Sequence, residues 1–300
     1  FSEPVVIAMP DSSSIKLVRR EDEGCLFDVI DRATGRKLTE EEAAARMGET
    51  APPKAVATKK LAKPLAIAAE PLQVCGEGDS WINLLLPTFP KTFFNILGKS
   101  FQTRNIGFPG DTFEDILEKK QYVQVLESGQ YKVLIFSGGG NDILGEGSLS
   151  ELLRPKSEGN GSGDPVDYIR PVKLKSALKK LDTGYRLMAK EAKLAEPDIL
   201  VLIHGYDYAI PRKNGDWLGK PLKKAGFAHD EPLALSIIAF LVDRFNEMLG
   251  KVAADVDHVR HVDVRKTVAG RWHDELHPTT KGAEDVAPLF AAEISKLLTS

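Results

Sequence analysis

From about residue 72 to the end of the chain, short apolar runs alternate with longer segments of helical periodicity. The runs predict strands, and apolar positions three and four residues apart predict amphipathic helices between them. The predicted strands are residues 72–75, 103–106, 132–136, 199–203 and 259–264, and the longer predicted helices are residues 173–194, 233–252 and 280–298. Strands separated by helices of this length form βαβ units, so the pattern predicts a parallel sheet within a three-layer α/β domain.

The first 70 residues lack this alternation and predict a small N-terminal extension. Residues 15–18 and 26–30 have the composition of two short strands, and residues 31–36 that of a turn. Thr39 then fits the N-cap of a short helix. This segment finds no counterpart in the alternating pattern that follows it.

A segment rich in proline and lysine, residues 51–64, separates the extension from the rest of the chain. It contains three prolines and four lysines but no acidic residue, which is typical of a solvated linker and also fits a basic docking arm. We therefore predict an extension over residues 1–70 and a main domain over residues 71–300. Two long polar loops are expected inside that domain, at residues 148–171 and 205–232.

The overall composition is that of a globular protein without a polyanionic partner. Hydrophobic residues make up 42% and charged residues 28%, and the net charge of −3 predicts no binding to nucleic acid. No apolar run approaches the roughly 18 residues of a membrane span.

Two cysteines, Cys25 and Cys75, exclude a disulfide framework and paired zinc ligands, and Cys75 is predicted to be a core thiol. The compartment is not identified, because a removed leader would leave no trace.

The first motif with chemical potential is Gly78-Asp79-Ser80, after the first predicted strand of the main domain. Open α/β sheets place their sites at the carboxyl ends of strands, so Ser80 is a candidate nucleophile beyond a predicted turn at residues 76–78. A serine hydroxyl needs a base to remove its proton before it attacks a carbonyl carbon. Taken alone, the short Asp-Ser pair is better explained as an ordinary helix cap.

Two further motifs supply hydrogen-bond donors. Gly110 is expected at the start of the helix after the second strand, where its backbone N–H would be a free donor at a helix N-terminus, and Asp111 or Thr112 is the expected cap of that helix. Asn141, in the segment Gly139-Gly140-Asn141-Asp142 after the third strand, offers a neutral amide that can donate to a developing oxyanion. Each motif by itself is also compatible with a plain turn.

Asp274 and His277 lie three residues apart near the C-terminus. At this spacing the carboxylate can hold one imidazole nitrogen and leave the other for Ser80, although a surface ion pair fits the same spacing.

All four motifs follow predicted strands of one sheet. Together they favour attack on an ester carbonyl, with Ser80, Gly110 and Asn141 around the oxyanion and with no metal or organic cofactor.

This arrangement resembles the SGNH, or GDSL, hydrolase family over about residues 72–298. The matching residues are Ser80 as the nucleophile of the first block, Gly110 of the second, Asn141 of the third, and Asp274 and His277 of the fifth. The resemblance implies a flavodoxin-like α/β/α sandwich with about five parallel strands. It also implies hydrolysis through an acyl-enzyme, in a family whose members include lipases, thioesterases, carbohydrate acetylesterases and arylesterases.

The substrate is less well defined by the sequence. Trp81 stands where many members of that family carry a smaller aliphatic residue, which suggests a restricted pocket and a short acyl group such as the acetyl ester of a carbohydrate. A lysophospholipase or thioesterase is the alternative. His204, Asp207 and Trp217 are further candidates for substrate contact, although a packed histidine and a tryptophan that pins a loop are equally compatible with them.

Two other classes of function compete for the same residues. The segment His273-Asp274-Glu275-Leu276-His277 is similar to the zinc protease pattern His-Glu-x-x-His, but aspartate occupies the second position and Pro278 would end the helix at once. Alternatively, a hydrolase fold can serve as a binding or scaffold protein. Whether the protein is an enzyme or a scaffold, residues 1–70 are a candidate site for a protein partner.

Overall fold

The computed structural model describes residues 15–19, 27–31, 33–38, 42, 72–84, 89–145 and 147–297. The N-cap expected at Thr39, the linker expected at residues 51–64 and the thiol of Cys25 lie outside the described residues.

The chain divides into two compact units, of which the first comprises residues 1–72 and 85–89. In it, β1 (Ile15–Arg19) pairs antiparallel with β2 (Phe27–Asp31), close to the two predicted strands. The Asp31 carboxylate accepts hydrogen bonds from the backbone N–H groups that follow it, which closes the predicted turn. The division of the chain at residue 70 stays a prediction.

The second unit, residues 73–84 and 90–300, contains the sheet. Its strands are β3 (Gln73–Gly78), β4 (Gln102–Asn105), β5 (Val133–Ser137), β6 (Leu200–Ile203) and β7 (Val259–His261). All four pairings in the order β4-β3-β5-β6-β7 are parallel. Every residue of β5 and β6 is buried, as expected of strands covered on both faces. Along β4, at the edge of the sheet, exposed and partly buried residues alternate. The prediction of a sheet with five parallel strands is confirmed.

Helices cover the sheet in two groups. They are α1 (Phe93–Leu97), α2 (Phe113–Lys119), α3 (Gln121–Leu126), α4 (Gly140–Ile143), α5 (Ser148–Leu152), α6 (Pro171–Ala195), α7 (Gly219–Lys224), α8 (Pro232–Asp255) and α9 (Thr280–Leu297). One group joins α1 to α9, where the rings of Phe93 and Phe290 stack at 4.3 Å. The other joins α6 to α2, α3 and α8, with Phe113 and Tyr185 at 4.6 Å. The result is a three-layer α/β/α architecture.

None of the helices in the described part of the chain combines the length and apolar character of a membrane span.

Two local predictions in the main domain are wrong. The predicted turn at residues 76–78 belongs to β3, because its residues pair with β5 as far as Gly78 and Ser137. Helix α2 begins at Phe113 rather than at Gly110, whereas the expected cap at Asp111 or Thr112 is confirmed, because Thr112 caps the helix in a capping box with Asp115. In both cases the glycine suggested a turn or a helix start in the sequence. The backbone conformation is instead set by strand pairing in the first case and by the capping residue Thr112 in the second.

The two long loops are more ordered than their polar composition predicts. Residues 148–171 contain α5, two short 3₁₀ turns and a bridge between Leu153 and Ile169. The buried ring of Tyr168 packs at 5.3 Å from Phe227, which connects this segment to residues 205–232. The second loop contains α7. The two predicted long polar loops therefore contain short helical segments, and the contact of Tyr168 with Phe227 joins them.

The core around the end of β6 includes a histidine. His204 is 0% exposed, and its ring lies 5.2 to 5.6 Å from the rings of Phe93, Phe290 and Trp81. Its Nδ1–H donates to the carbonyl oxygen of Gly205, and within the described residues its Nε2 has no hydrogen-bond partner. Burial, opposed by the bond to Gly205, lowers the pKa of His204 to about 4.

This shift predicts a loss of stability in acid. The unfolded chain protonates the histidine near its ordinary pKa of 6.5, whereas the folded chain does so only near 4. The stabilisation is complete above pH 6.5 and is lost as the pH falls towards 4, by about 3 kcal/mol. We expect His204→Phe to remove this part of the pH dependence of the free energy of unfolding, measured by urea denaturation between pH 7 and 4. His229→Gln, at a partly exposed histidine, is the control, and equal slopes for wild type and His204→Phe would refute the assignment.

Candidate active site

Ser80 lies just beyond the carboxyl end of β3. Gly78 has φ +143°, and a Cβ atom on it would lie 2.0 Å from the carbonyl oxygen of Ser137, so no other residue fits there without a backbone shift. The N–H of Asp79 donates to that same carbonyl at 3.0 Å. The chain then leaves the sheet in a tight turn that carries Ser80 to a partly exposed position.

The structure brings Ser80, His277 and Asp274 into one hydrogen-bonded relay. The Ser80 hydroxyl lies 2.8 Å from His277 Nε2, and His277 Nδ1 lies 2.7 Å from Asp274 Oδ2. With Nδ1–H donating to the carboxylate, Nε2 is the acceptor for the serine proton. The serine and the histidine are 197 positions apart in the sequence, so only the fold brings them together.

A compact turn, residues 272–278, carries Asp274 and His277. Asp274 Oδ1 accepts the N–H groups of Leu276 and His277, each at 2.8 Å, and Trp272 forms a bridge with Pro278. The turn is not a helix, so the helical arrangement required by His-Glu-x-x-His does not form. Across the described residues, no group of three or more His, Cys, Asp or Glu side chains is placed to hold a metal ion.

The environment of Asp274 keeps its carboxyl group ionised. Burial alone would raise the pKa of Asp274, but the hydrogen bond and charge of His277 and the N–H groups of Leu276 and His277 outweigh it and lower the pKa below its usual range. The negative charge therefore persists beside the imidazole ring across the neutral pH range.

Asn141 is held beside Ser80 on the first turn of α4. Its Nδ2 donates to the carbonyl oxygen of Asp111 at 2.9 Å, which fixes the amide and leaves its second hydrogen for another acceptor. Gly110 is exposed and directly precedes Asp111. No acceptor among the described residues takes the backbone N–H of Ser80 or of Gly110.

A buried polar network of hydrogen bonds lies next to Ser80. Asp79 accepts hydrogen bonds from the Trp81 N–H, the Ser137 hydroxyl and the Tyr206 hydroxyl, and the Tyr206 oxygen in turn accepts the Gly140 N–H at 2.9 Å. Tyr206 thus connects the turn that carries Ser80 to the turn that carries Asn141. Burial raises the pKa of Asp79, although these hydrogen bonds oppose the shift. Burial and the charge of Asp79 raise the pKa of Tyr206, so the phenol keeps the proton that it donates.

Two cavities adjoin Ser80. The first, of about 330 Å³, has mostly apolar and aromatic walls formed by Trp81, Leu144, Tyr206, Ala209, Trp272 and Leu276, with Asp79, Ser80, Gly140, Asn141 and Asp207 completing the lining. The second, of about 250 Å³, is lined by Ser80, Trp81, Leu84, Lys91, Thr92, Phe93, Pro278, Ala283 and Val286. Trp81 separates the two, and it is fixed by a hydrogen bond of 3.0 Å from Nε1 to the carbonyl oxygen of Leu276.

The other residues that the sequence suggested for substrate contact, His204, Asp207 and Trp217, lie at different distances from Ser80 and His277. His204 is packed behind Trp81 and lines neither cavity. Asp207 borders the first cavity, but its carboxylate is buried and accepts the N–H groups of Lys266 and Val268, which indicates a structural role. The ring of Trp217 lies edge-on to His277 at 5.7 Å.

Two features of the site were not predicted from the sequence. They are the buried carboxylate of Glu275 and the hydrogen bonds by which Tyr206 connects the turn of Ser80 to the turn of Asn141. Glu275 is 1% exposed and accepts four backbone N–H groups from residues 212–219. The spacing of the sequence gives no signal for either set of contacts, because both join segments that are distant along the chain.

Comparisons with known proteins address the fold. No protein-family model and no curated protein sequence matches the chain. Among solved structures, an extracellular lipase from Streptomyces rimosus is 17% identical, with a TM-score of 0.50 over 74% of this chain and 99% of the lipase. A phospholipase A1 from Streptomyces albidoflavus is 16% identical, with a TM-score of 0.51 over 74% of this chain and 99% of the phospholipase. The chain therefore shares the fold of these two proteins, a three-layer α/β/α sandwich, which is the fold that its motifs predict.

Proposed function

We propose that the protein is a serine esterase of the SGNH type that hydrolyses carboxylic esters of small acyl groups through an acyl-enzyme. The observation that carries this proposal is the relay of Ser80, His277 and Asp274, with contacts of 2.8 and 2.7 Å. Nucleophile, base and orienting acid are within hydrogen-bonding distance before any substrate binds, which is the geometry that acyl transfer requires.

In the first half-reaction, His277 Nε2 removes the proton of Ser80 as the serine oxygen attacks the carbonyl carbon. The imidazole becomes a cation, and the ionised Asp274 stabilises it. His277 then gives the proton to the departing alcohol oxygen, which leaves the acyl group on Ser80. Water attacks the acyl-enzyme by the same route, with His277 again taking and returning a proton.

The negative charge that develops on the carbonyl oxygen needs donors that are already in place. We assign this role to the backbone N–H groups of Ser80 and Gly110 and to the amide of Asn141. The bond from Asn141 to the Asp111 carbonyl supports the assignment, because it fixes the amide before the reaction. A preorganised donor of this kind contributes about 3 kcal/mol to lowering the barrier.

The first cavity favours a short acyl group such as acetyl. Its walls are close-packed aromatic rings: Trp81 lies 5.4 Å from Tyr206 and 6.2 Å from Trp272. Trp81 is 4% exposed and held by its bond to Leu276, so the wall cannot easily move aside for a longer chain. Acetyl esters of carbohydrates are the substrates that we favour.

The second cavity supports an alternative substrate class. It runs from Ser80 along the apolar side chains of Leu84, Phe93 and Val286, with Lys91 in its lining. An apolar path beside a cation would suit the acyl chain and acidic headgroup of a lysophospholipid, or a thioester of an acidic carrier. A lysophospholipase or thioesterase is therefore the second candidate.

The nucleophile is tested by Ser80→Ala. We expect kcat for an aryl acetate to fall by about 10⁶-fold, because no other group can form the acyl-enzyme. The melting temperature should stay within a few degrees of wild type. Ser236→Ala, at an exposed serine of α8, is the matched control. Equal activity of wild type and Ser80→Ala would overturn the assignment, and a wild type inactive on all esters would favour a non-catalytic binding or scaffold protein.

The oxyanion role of Asn141 is tested by Asn141→Ala. Because the donor acts on the charge that appears in the transition state, kcat should fall by about 100-fold or more while KM changes little. Steady-state kinetics on the same aryl acetate separate the two parameters. Asn95→Ala, at the exposed N3 residue of the capping box of α1, serves as the control. A change confined to KM would show that Asn141 binds the ground state only.

Acyl specificity is tested with aryl esters from acetyl to decanoyl. We expect kcat/KM to peak at acetyl or propionyl in the wild type, and Trp81→Leu to move the peak towards longer chains by opening the first cavity. A wild-type maximum at eight carbons or more would support the second candidate. A maximum unaffected by Trp81→Leu would remove Trp81 from the acyl site.

A further inference from the structure

Glu275 is a buried carboxylate that binds backbone rather than a cation. Its Oε1 accepts the N–H groups of Arg212 and Gly219, each at 2.8 Å, and its Oε2 accepts those of Trp217 and Leu218 at 3.0 and 3.1 Å. It makes no ion pair with a Lys or Arg side chain of the described residues. An ionised carboxyl group has about four acceptor sites, and here the backbone of one loop occupies them.

The loop and the turn of residues 272–278 are connected in both directions. Arg212 Nη2 donates to the carbonyl oxygens of Trp272 and His273 at 3.2 and 2.7 Å. A Cβ atom on Gly215 would lie 1.9 Å from Glu275 Cδ, so the backbone can wrap the carboxylate only because this residue is glycine. Residues 212–219 are therefore held to the same turn that carries the acid and the base.

The connection fixes an aromatic ring next to the base. Trp217 donates its N–H to Glu275, and its ring meets the His277 ring at 5.7 Å with an interplanar angle of 86°. Glu275 itself directly follows Asp274 in the chain. The position of Trp217 relative to the imidazole thus depends on one side chain that takes no part in the proton relay.

The side of the site on which Trp217 lies determines what it can contact. His277 delivers a proton to the departing oxygen, so a ring packed against His277 adjoins the alcohol part of the ester rather than the acyl part. The acyl group would lie in the cavity beneath Trp81, which Trp217 does not line. An indole face or edge packs well against a planar or cyclic alcohol.

We propose that Trp217 is a specificity-determining residue for the alcohol part of the substrate and that Glu275 is the positioning residue that holds it there. The site then prefers esters of ring-shaped alcohols, such as sugars or aryl alcohols, over esters of small open-chain alcohols. This inference rests on the proposed esterase function and adds the alcohol specificity of the same site.

The test compares cyclohexyl acetate with isopropyl acetate, whose alcohols have similar acidity and differ in the ring. We expect Trp217→Ala to lower the preference for the cyclohexyl ester in kcat/KM by about fivefold, as expected for loss of one aromatic contact. Glu275→Gln replaces one acceptor oxygen by an NH₂ group that faces N–H donors, and it should lower the preference by a similar factor. The double variant should show no further loss, because both changes remove the same contact.

Asp216→Asn is the matched control, because it alters an exposed ion pair with Lys220 in the same loop without touching Glu275. It should keep the wild-type preference. General damage by Glu275→Gln would lower kcat/KM for both esters equally and would add to Trp217→Ala, and that result would overturn the inference. If Glu275→Gln does not fold, Arg212→Ala weakens the same connection from the loop side and is expected to lower the preference in the same direction.

A fluorescence measurement tests the positioning without catalysis. The ring of Trp217 packs edge-on against the ring of His277, so quenching of Trp217 emission by acrylamide reports how closely the loop holds the indole in place. The contribution of Trp217, taken in each background as the difference that Trp217→Phe makes, should be quenched more strongly in Glu275→Gln than in the wild type and should be unchanged in Asp216→Asn. Equal quenching of Trp217 in the wild type and in Glu275→Gln would refute the positioning role. A wild type that hydrolyses no ester but shows this pattern would refute the proposed function and leave Glu275 as the residue that positions Trp217.

Discussion

The parallel direction of the five strands is the constraint on which the site depends. Because all strands of the sheet point the same way, the segments that follow them leave from one edge. Ser80 follows β3, Asn141 follows β5 and Tyr206 follows β6, each within a few residues of the strand end. A hydroxyl, an amide and a phenol that are distant in sequence therefore meet in one small volume.

That volume is stabilised by buried polar contacts rather than by apolar packing alone. A buried carboxylate such as Asp79 is expensive to desolvate unless hydrogen bonds satisfy it, and three donors do so here. The same contacts connect the turn that carries Ser80 to the turn that carries Asn141 through the Tyr206 hydroxyl. The contacts that satisfy Asp79 thus also hold the turns of Ser80 and Asn141 together.

Two neighbouring carboxyl groups, Asp274 and Glu275, illustrate how the environment assigns different tasks to similar chemistry. Asp274 faces an imidazole and the N–H groups of its own turn, so its charge lies beside His277. Glu275 faces the backbone of a separate loop, so its charge lies against the N–H groups of that loop, including that of Trp217. In our proposal, one turn therefore combines the proton relay with a wall of the substrate site.

The sequence by itself determined the alternation of strands and helices and the three-layer fold, because local periodicity depends on neighbouring residues, and it singled out the motif residues Ser80, Asn141, Asp274 and His277, whose catalytic roles stay a proposal. It misplaced the turn at residues 76–78 and did not show the helical segments within residues 148–171. It also left open whether His204 borders the crevice or packs inside, and the structure shows it enclosed by aromatic rings. Only the tertiary structure decided these points and the contacts of Tyr206 and Glu275, because strand pairing, burial and hydrogen bonds between distant segments leave no periodic signal in the sequence.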